Sequence, residues 1–142
     1  MRRTLGILLL LSAGSLLAQF RGEQTRTANI RGGGGDGKCT IEVEVDGVAE
    51  VEIRGTVARL RTREGQPATW RRFDCNQPMP VRPYDFRFRG IDGRGRQDLV
   101  RDPSSGGFAV IRIEDPKGGR EGYTFDVMWR GGSGPAPRRR QY

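Results

Sequence analysis

Apolar and charged side chains alternate along most of this chain, most clearly over residues 39–55, CTIEVEVDGVAEVEIRG. A period of two is typical of strands with one buried face and one solvated face. The apolar members are Cys39, Ile41, Val43, Val45, Ala49, Val51 and Ile53. The pattern predicts a hairpin, but a two-residue Asp46-Gly47 turn would oppose apolar to charged residues. A bulged turn one residue longer, with Gly47 in the left-handed region, restores apolar against apolar.

The same register would gather four carboxylates on the wet face of the hairpin, those of Glu42, Glu44, Glu50 and Glu52. Like charges facing each other are unfavourable, so a neutralising partner is expected. Arg59, Arg61 and Arg63 alternate with smaller or apolar residues in the next segment, which predicts a strand paired with residues 49–54. A calcium site made from the glutamates is the alternative, but the Asp-rich loop spacing of calcium motifs is missing.

Further strand signals follow at intervals that suit a small all-β domain. They cover residues 68–75, 84–89, 97–101, 108–114 and 123–129, with turn-rich segments between them. Residues 76–83, NQPMPVRP, contain three prolines and are expected to cross from one sheet to the other. The sequence therefore predicts a small antiparallel β-sandwich of 7–8 strands, with a small β-barrel as the alternative.

The ends of the chain differ from this domain in composition. Residues 1–18 combine Arg2 and Arg3 with an apolar run, which predicts a signal peptide cleaved after Ala18, or after Ser15 as second choice. Residues 19–38 are glycine-rich and predict a flexible linker, so the β-sandwich domain is placed at 39–130. Residues 131–142 predict a disordered basic tail ending in arginines.

Export has consequences for compartment and covalent chemistry. No segment after the leader is apolar enough to span a membrane, so the mature protein is expected in the periplasm or outside the cell. Cys39 and Cys75 are the only two cysteines, and an oxidising compartment predicts a disulfide between them. Two thiols without CxxC spacing do not predict a metal site.

Composition removes several classes of function. The chain carries a formal net charge of +8 but has no histidine, and its only serines after the leader are Ser104, Ser105 and Ser133. The commonest general base, zinc ligand and nucleophile are thus scarce or missing. Carboxylate-only catalysis at Glu50, Glu52, Asp74 or Asp126 is the remaining enzymatic alternative, but strand alternation already predicts these side chains to face solvent.

The basic residues and one tryptophan provide the candidate binding chemistry. Apart from Lys38 and Lys117, every basic residue is arginine, whose fork pairs with carboxylate, sulfate and phosphate. Trp70 is predicted to be either exposed, as a stacking surface between charged neighbours, or brought inside with Phe73 by a bulge at Arg71-Arg72. The candidate ligand-binding residues are Trp70, Arg71, Arg72, Arg94 and Arg96.

These observations predict a secreted, non-catalytic binding or interaction module for a protein or an anionic glycan. An inhibitor of a secreted hydrolase is the alternative, with the proline-braced loop 76–83 as its contact segment. No cofactor, metal site or catalytic residue is predicted. Positive charge also suits nucleic acid, but export and interleaved acidic residues argue against that partner.

Overall fold

The computed structural model describes residues 22–63, 66–116 and 119–131. These ranges contain ten strands and a short 3₁₀ helix, Pro103–Ser105. The strands are β1 Gly22–Thr27, β2 Asn29–Ile30, β3 Gly37–Val45, β4 Val48–Arg54, β5 Val57–Thr62, β6 Ala68–Cys75, β7 Arg87–Asp92, β8 Arg96–Arg101, β9 Ala109–Glu114 and β10 Glu121–Trp129. No helix in the described ranges is long and apolar enough to cross a membrane.

Two five-stranded sheets pack together as a β-sandwich, which confirms the predicted fold class. Sheet A has the order β1-β5-β4-β9-β8, and sheet B has the order β2-β6-β3-β10-β7. All pairs are antiparallel except the short parallel contact of β2 with β6. The predicted signal peptide and the predicted tail from residue 132 onward lie outside the described residues.

The prediction of a linker over residues 19–38 is wrong for the part that forms strands, which raises the strand count above the predicted 7–8. Residues 22–27 pair along their length with β5 at one edge of sheet A, and residues 29–30 pair with β6 at one edge of sheet B. Edge strands are held by backbone hydrogen bonds on one side only, so they need no alternating apolar residues. For this reason hydrophobic periodicity did not reveal them.

The predicted hairpin over residues 39–55 is wrong, although the predicted buried faces are right. Strand β3 belongs to sheet B and β4 to sheet A, so residues 46–47 carry the chain from one sheet to the other. Gly47 has a φ of +87°, as its predicted left-handed position requires. Since β3 and β4 never face each other within one sheet, no bulged turn is needed to match their parities.

The predicted arginine strand is confirmed on the outer face of sheet A. Strand β5 pairs with β4 so that Glu50 lies opposite Arg61 and Glu52 opposite Arg59. Arg61 Nη2 lies 3.0 Å from Glu52 Oε2. Glu42 and Glu44 lie on sheet B instead, so the four glutamates do not share one surface.

The core lies between the sheets and draws most heavily on β10. Its side chains Tyr123, Phe125, Val127 and Trp129 are all fully buried, as their common parity predicts. The disulfide between Cys39 and Cys75 is present and joins directly opposed residues of β3 and β6. It therefore fastens two neighbouring strands to each other at one end of sheet B.

The proline-rich loop does not cross between the sheets, contrary to the prediction. It leaves β6 at Cys75 and reaches β7 at Arg87, and both strands belong to sheet B. In the sheet order, β3 and β10 lie between these two strands, so the loop runs past the ends of both. Strand β7 begins later than its predicted start at Tyr84, because Asp85 adopts a φ of +52° that is incompatible with a strand.

Candidate binding cleft

A cleft of about 490 Å³ lies at the end of sheet B where the disulfide holds the strands together. The end of β6, the start of β3, the end of β10 and the start of β7 form its walls. The lining residues are Arg31, Asp36, Gly37, Lys38, Thr40, Arg72, Asp74, Cys75, Asn76, Arg87, Met128 and Trp129. The volume falls within the roughly 300–1,000 Å³ range typical of small-molecule sites.

Positive charge predominates in the lining of the cleft. Its cations are Arg31, Lys38, Arg72 and Arg87, and its carboxylates are Asp36 and Asp74. One of those carboxylates is committed to the backbone, since Asp36 Oδ1 accepts a hydrogen bond from Gly131 N at 3.0 Å. The charged groups that line the cleft therefore carry a net positive charge.

Arg72 and Asp74 form the tightest ion pair in the cleft. Arg72 Nε donates to Asp74 Oδ2 at 2.5 Å. This hydrogen bond is the main cause that lowers the pKa of Asp74 below its usual value, with desolvation acting in the opposite direction. The same bond and the nearby negative charge raise the pKa of Arg72. Asp74 therefore stays ionised in neutral solution and orients the guanidinium beside it.

Lys38 and Arg87 are held far more loosely. Lys38 Nζ lies 3.9 Å from Asp126 Oδ2, and Arg87 Nη2 lies 3.9 Å from Asp85 Oδ2. Both separations exceed hydrogen-bond length, so the donors of these cations remain available to a ligand. Among the residues that the structure describes, no carboxylate lies within 4.0 Å of the Arg31 guanidinium.

Asp126 departs from the prediction that it faces solvent, because its side chain is only 2% exposed. Its Oδ1 accepts a hydrogen bond from Thr40 Oγ1 at 2.7 Å, and Arg89 lies 3.9 Å from its Oδ2. Glu52 is likewise buried, under Arg54 and Arg61 on sheet A. Long arginine stems and neighbouring strands cover these carboxylates, so strand parity alone did not predict their burial.

The walls of the cleft are anchored by side chains that bind the backbone. Asn76 Oδ1 accepts from Lys38 N at 2.8 Å, and Asn76 Nδ2 donates to the carbonyl of Asp36 at 2.7 Å. The indole of Trp129 lies against Gly37, where an added Cβ would come within 1.9 Å of the ring. Together with the disulfide, these contacts hold the charged groups in place before a ligand arrives.

Trp70 is buried rather than exposed, which corrects the predicted stacking surface. It is only 8% exposed, and its Nε1 donates to the carbonyl of Gln24 at 3.0 Å. The pairing of β3 with β6 shifts so that Glu42 opposes Arg72 and Val43 opposes Trp70, which leaves Arg71 as the extra residue. The alternative with a bulge is therefore confirmed, and Trp70 packs inside with Phe73.

The other predicted arginines do not join Arg72 in one site. Arg71 pairs with Glu44 along sheet B. Arg94 Nη1 lies 3.4 Å from Glu121 Oε1 and lines a separate depression with Gly93, and Arg96 Nε lies 3.0 Å from Asp98 Oδ2. Only Arg72 among the five predicted residues lines the end cleft.

The turn that carries Arg94 rests on a buried tyrosine. Tyr123 Oη donates to Asp115 Oδ1 at 2.9 Å and accepts from Gly95 N at 3.1 Å. Burial, with the hydrogen bond to Asp115 next in weight, raises the pKa of Tyr123 to about 12. These contacts explain the position of the turn as part of the fold.

Sequence reasoning missed three of the four cations in the cleft. Arg31 lies in the segment predicted as a linker, and Lys38 at its boundary with the domain. Arg87 lies on a strand whose start was misplaced. The only available signal was the rarity of lysine, which marks Lys38 as unusual in an arginine-rich chain.

Within the described ranges, no group of three or more His, Cys, Asp or Glu side chains is arranged to hold a metal ion. Comparison of the chain with protein-family models, with curated proteins and with solved structures finds no match.

Proposed function

We propose that this protein is an exported, non-catalytic binding module that holds an anionic ligand in the cleft at the end of sheet B. The ligand is an anionic glycan or an acidic segment of a protein. The observation that carries the proposal is the set of four cations, Arg31, Lys38, Arg72 and Arg87, around one concave site.

The spare hydrogen-bonding capacity of these cations supports ligand binding. A carboxylate or sulfate that approaches Arg31, Lys38 and Arg87 would gain charge-assisted hydrogen bonds that their present partners do not provide. These bonds are roughly twice as strong as neutral ones and are geometrically specific for arginine. The three side chains belong to different segments of the fold, so the ligand would be held from several sides.

The setting of the cations strengthens the same proposal. The half-buried side chain of Met128 gives the cleft apolar surface beside its charges, and the buried Trp129 and the disulfide at Cys75 lie behind it. Ligand sites commonly combine such surface with a few polar groups that fix orientation. The disulfide also suits the oxidising compartment that the apolar leader predicts.

The test is direct binding of the purified mature protein to defined ligands. Titration calorimetry would use a sulfated glycan, polygalacturonate, polyglutamate and neutral dextran, each at about 50 mM and about 300 mM salt. We expect binding of at least one anionic ligand, weaker at high salt because of charge screening, and no binding of dextran. Preference among the first three would decide between a glycan and an acidic protein segment.

The matched variants are Arg31→Gln/Arg87→Gln in the cleft and Arg94→Gln/Arg96→Gln on the other turn, which remove the same number of charges. Loss of charge-assisted bonds should weaken binding about tenfold or more in the first variant only. An equal loss of affinity in both variants would mean that binding depends on the net charge of the protein and not on the cleft. Absence of binding to all anionic ligands would contradict the proposal.

A further inference from the structure

Strand β7 forms a free edge of sheet B beside the cleft. It pairs with β10 on one side and has no strand on the other. In the part of the chain that the structure describes, residues 87–91 make no backbone hydrogen bond to any segment other than β10. The N–H and C=O groups on the outer side of an edge strand can pair with a further strand.

The opposite side of the sandwich is less open to a new strand. Strand β2 has only two residues, and β1 is closed against β6 by two hydrogen bonds of Gln24. Strand β8 is therefore the edge that compares best with β7. Each has four residues in regular pairing, 96–99 in β8 and 87–90 in β7, before a register shift near its end.

Charge distinguishes these two edges. On β8, Arg96 Nε lies 3.0 Å from Asp98 Oδ2, so the outward-facing charges neutralise each other. On β7, the outward-facing Arg87 and Arg89 each lie 3.9 Å from a carboxylate, which exceeds hydrogen-bond length. Their side chains are 62% and 68% exposed. Because they are two residues apart in one strand, they form a row of two cations on one face.

The inward-facing side of the same edge is apolar and only partly covered. Phe88 and Leu99 lie opposite buried residues of β10 and β9, so both point between the sheets, yet both are only partly buried. Gln97 Nε2 donates to the carbonyl of Asp92 at 2.8 Å, so the two edges lie on the same side of the sandwich. A strand added to β7 would place alternate side chains beside the arginines and the others beside Phe88.

We propose that the edge of β7 binds an extended acidic peptide as a sixth strand of sheet B. Acidic side chains of the peptide lie across from Arg87 and Arg89, and the apolar side chains between them lie beside Phe88. The inference rests on the anion binding proposed above, because Arg87 also lines the cleft, and it selects an acidic protein segment over a glycan. Backbone hydrogen bonds supply affinity in this mode of recognition, and alternate side chains supply specificity.

The edge itself argues for a peptide and against two other occupants. A row of backbone N–H and C=O groups at strand spacing matches another backbone, and a sugar chain has no equivalent row. A second copy of this chain would place its own Arg87 and Arg89 on the same surface, and like charges across a strand pair are unfavourable. Opposite charges across the pair are favourable, which suits an acidic strand.

The experiment titrates the purified, disulfide-bonded protein with a peptide of alternating glutamate and valine, and with the same peptide methylated on every backbone nitrogen. The methylated peptide keeps its charges but cannot donate hydrogen bonds to an edge strand. We expect the unmodified peptide to bind and the methylated peptide to bind at least about tenfold more weakly. Amide hydrogen exchange should slow in β7, and not in β8, when the unmodified peptide is bound.

The variant Arg89→Gln separates the edge from the cleft, because Arg89 lies on β7 but does not line the cleft. It should weaken binding of the unmodified peptide by about two- to fivefold, and binding of a sulfated glycan by less than about twofold. Arg96→Gln removes the same charge from the edge of β8 and is the matched control, with less than about a twofold effect on either ligand. Urea unfolding of each variant separates a lost contact from a lost fold.

Three outcomes would overturn the inference and leave anion binding in the cleft intact. The first is equal affinity for the methylated and unmodified peptides, which would mean that charge alone holds the peptide. The second is binding of a sulfated glycan without binding of the peptide. The third is hydrogen exchange in β7 that slows with protein concentration alone, which would assign the edge to a second copy. Binding of neither the peptide nor the glycan would contradict the proposed function as well.

Discussion

The outer face of sheet A and the cleft at the end of sheet B contain the same kinds of charged residue in two different states. On sheet A, Glu50 accepts from Arg112 at 2.8 Å and Glu52 lies 3.0 Å from Arg61. In the cleft, Lys38 and Arg87 lie 3.9 Å from their nearest carboxylates. The first set of charges is committed to holding strands together, whereas the second retains donors for a ligand.

Strand register explains the difference between the two regions. Glu50 lies directly opposite Arg112 on one side and Arg61 on the other, so the sheet itself brings opposite charges together. Beside the cleft, the buried Asp126 lies opposite Thr40 as well as Arg89, and one of its oxygens accepts a hydrogen bond from the hydroxyl of Thr40 at 2.7 Å. The carboxylate of Asp126 thus already has Thr40 as a hydrogen-bond partner, and nearby Lys38 keeps donors that a ligand can use. A cation whose nearest carboxylate is already bonded elsewhere is a better candidate for ligand binding.

The largest effect on this comparison should come from removing the disulfide that closes one end of the cleft. The variant Cys39→Ala/Cys75→Ala releases a loop spanning a sequence separation of 36 residues. The chain-entropy relation predicts a loss of about 4 kcal/mol in the free energy of unfolding. Urea denaturation of the two proteins measures this loss.

A reducing agent is the control, since it should destabilise the unaltered protein and leave the double variant unchanged. If the loss were below about 1 kcal/mol, the disulfide would not be what fixes the end of sheet B.

A smaller effect should separate committed charges from available ones. Glu52→Gln removes the charge from a buried carboxylate and weakens its bond to Arg61, so we expect a loss of about 1–2 kcal/mol of stability with unchanged anion binding. Arg87→Gln should do the opposite, with weaker binding and little change in stability, because the side chain is exposed. Urea unfolding and calorimetric titration of both variants measure the two effects, and the reverse result would invalidate the distinction.

The smallest expected effect concerns Asp74, the carboxylate that holds Arg72. Asp74→Asn removes one negative charge from the cleft and frees Arg72, so affinity for a sulfated ligand should rise by about two- to fivefold. Titration of the ligand against both proteins tests this, with Asp98→Asn on β8 as the control. Weaker binding by Asp74→Asn would show that orientation of Arg72 outweighs its release.

The lowered pKa of Asp74 gives the same pair a defined pH dependence. A carboxyl group whose folded pKa lies below its unfolded value contributes stability above the unfolded value, near 3.8. That contribution is lost as pH falls through the lower folded pKa. Near neutral pH, the free energy of unfolding of Asp74→Asn should therefore change with pH in the same way as that of the unaltered protein. The two curves should differ only in the acid range, below about pH 4.

Sequence patterning predicted the buried faces well and the surface chemistry poorly. Ile41, Val51, Phe125 and Trp129 face the core as their parity predicts. Burial of apolar residues is a local property of strand periodicity, so a single sequence expresses it directly. Arg31 and Lys38 are far from Arg87 in the chain, and no local sequence pattern predicts that the three residues line one cleft.

The sequence by itself determined the all-β class, the faces of the main strands, the disulfide between its only two cysteines and the pairing of β4 with an arginine-bearing strand. The tertiary structure alone decided that β3 and β4 belong to different sheets, that residues 22–30 form edge strands, that a bulge buries Trp70 and that the loop 76–86 exposes Val81. The physical reason is that side-chain alternation specifies which face of a strand is buried but does not specify which strand pairs with it. Strand pairing depends on the packing of the whole sandwich.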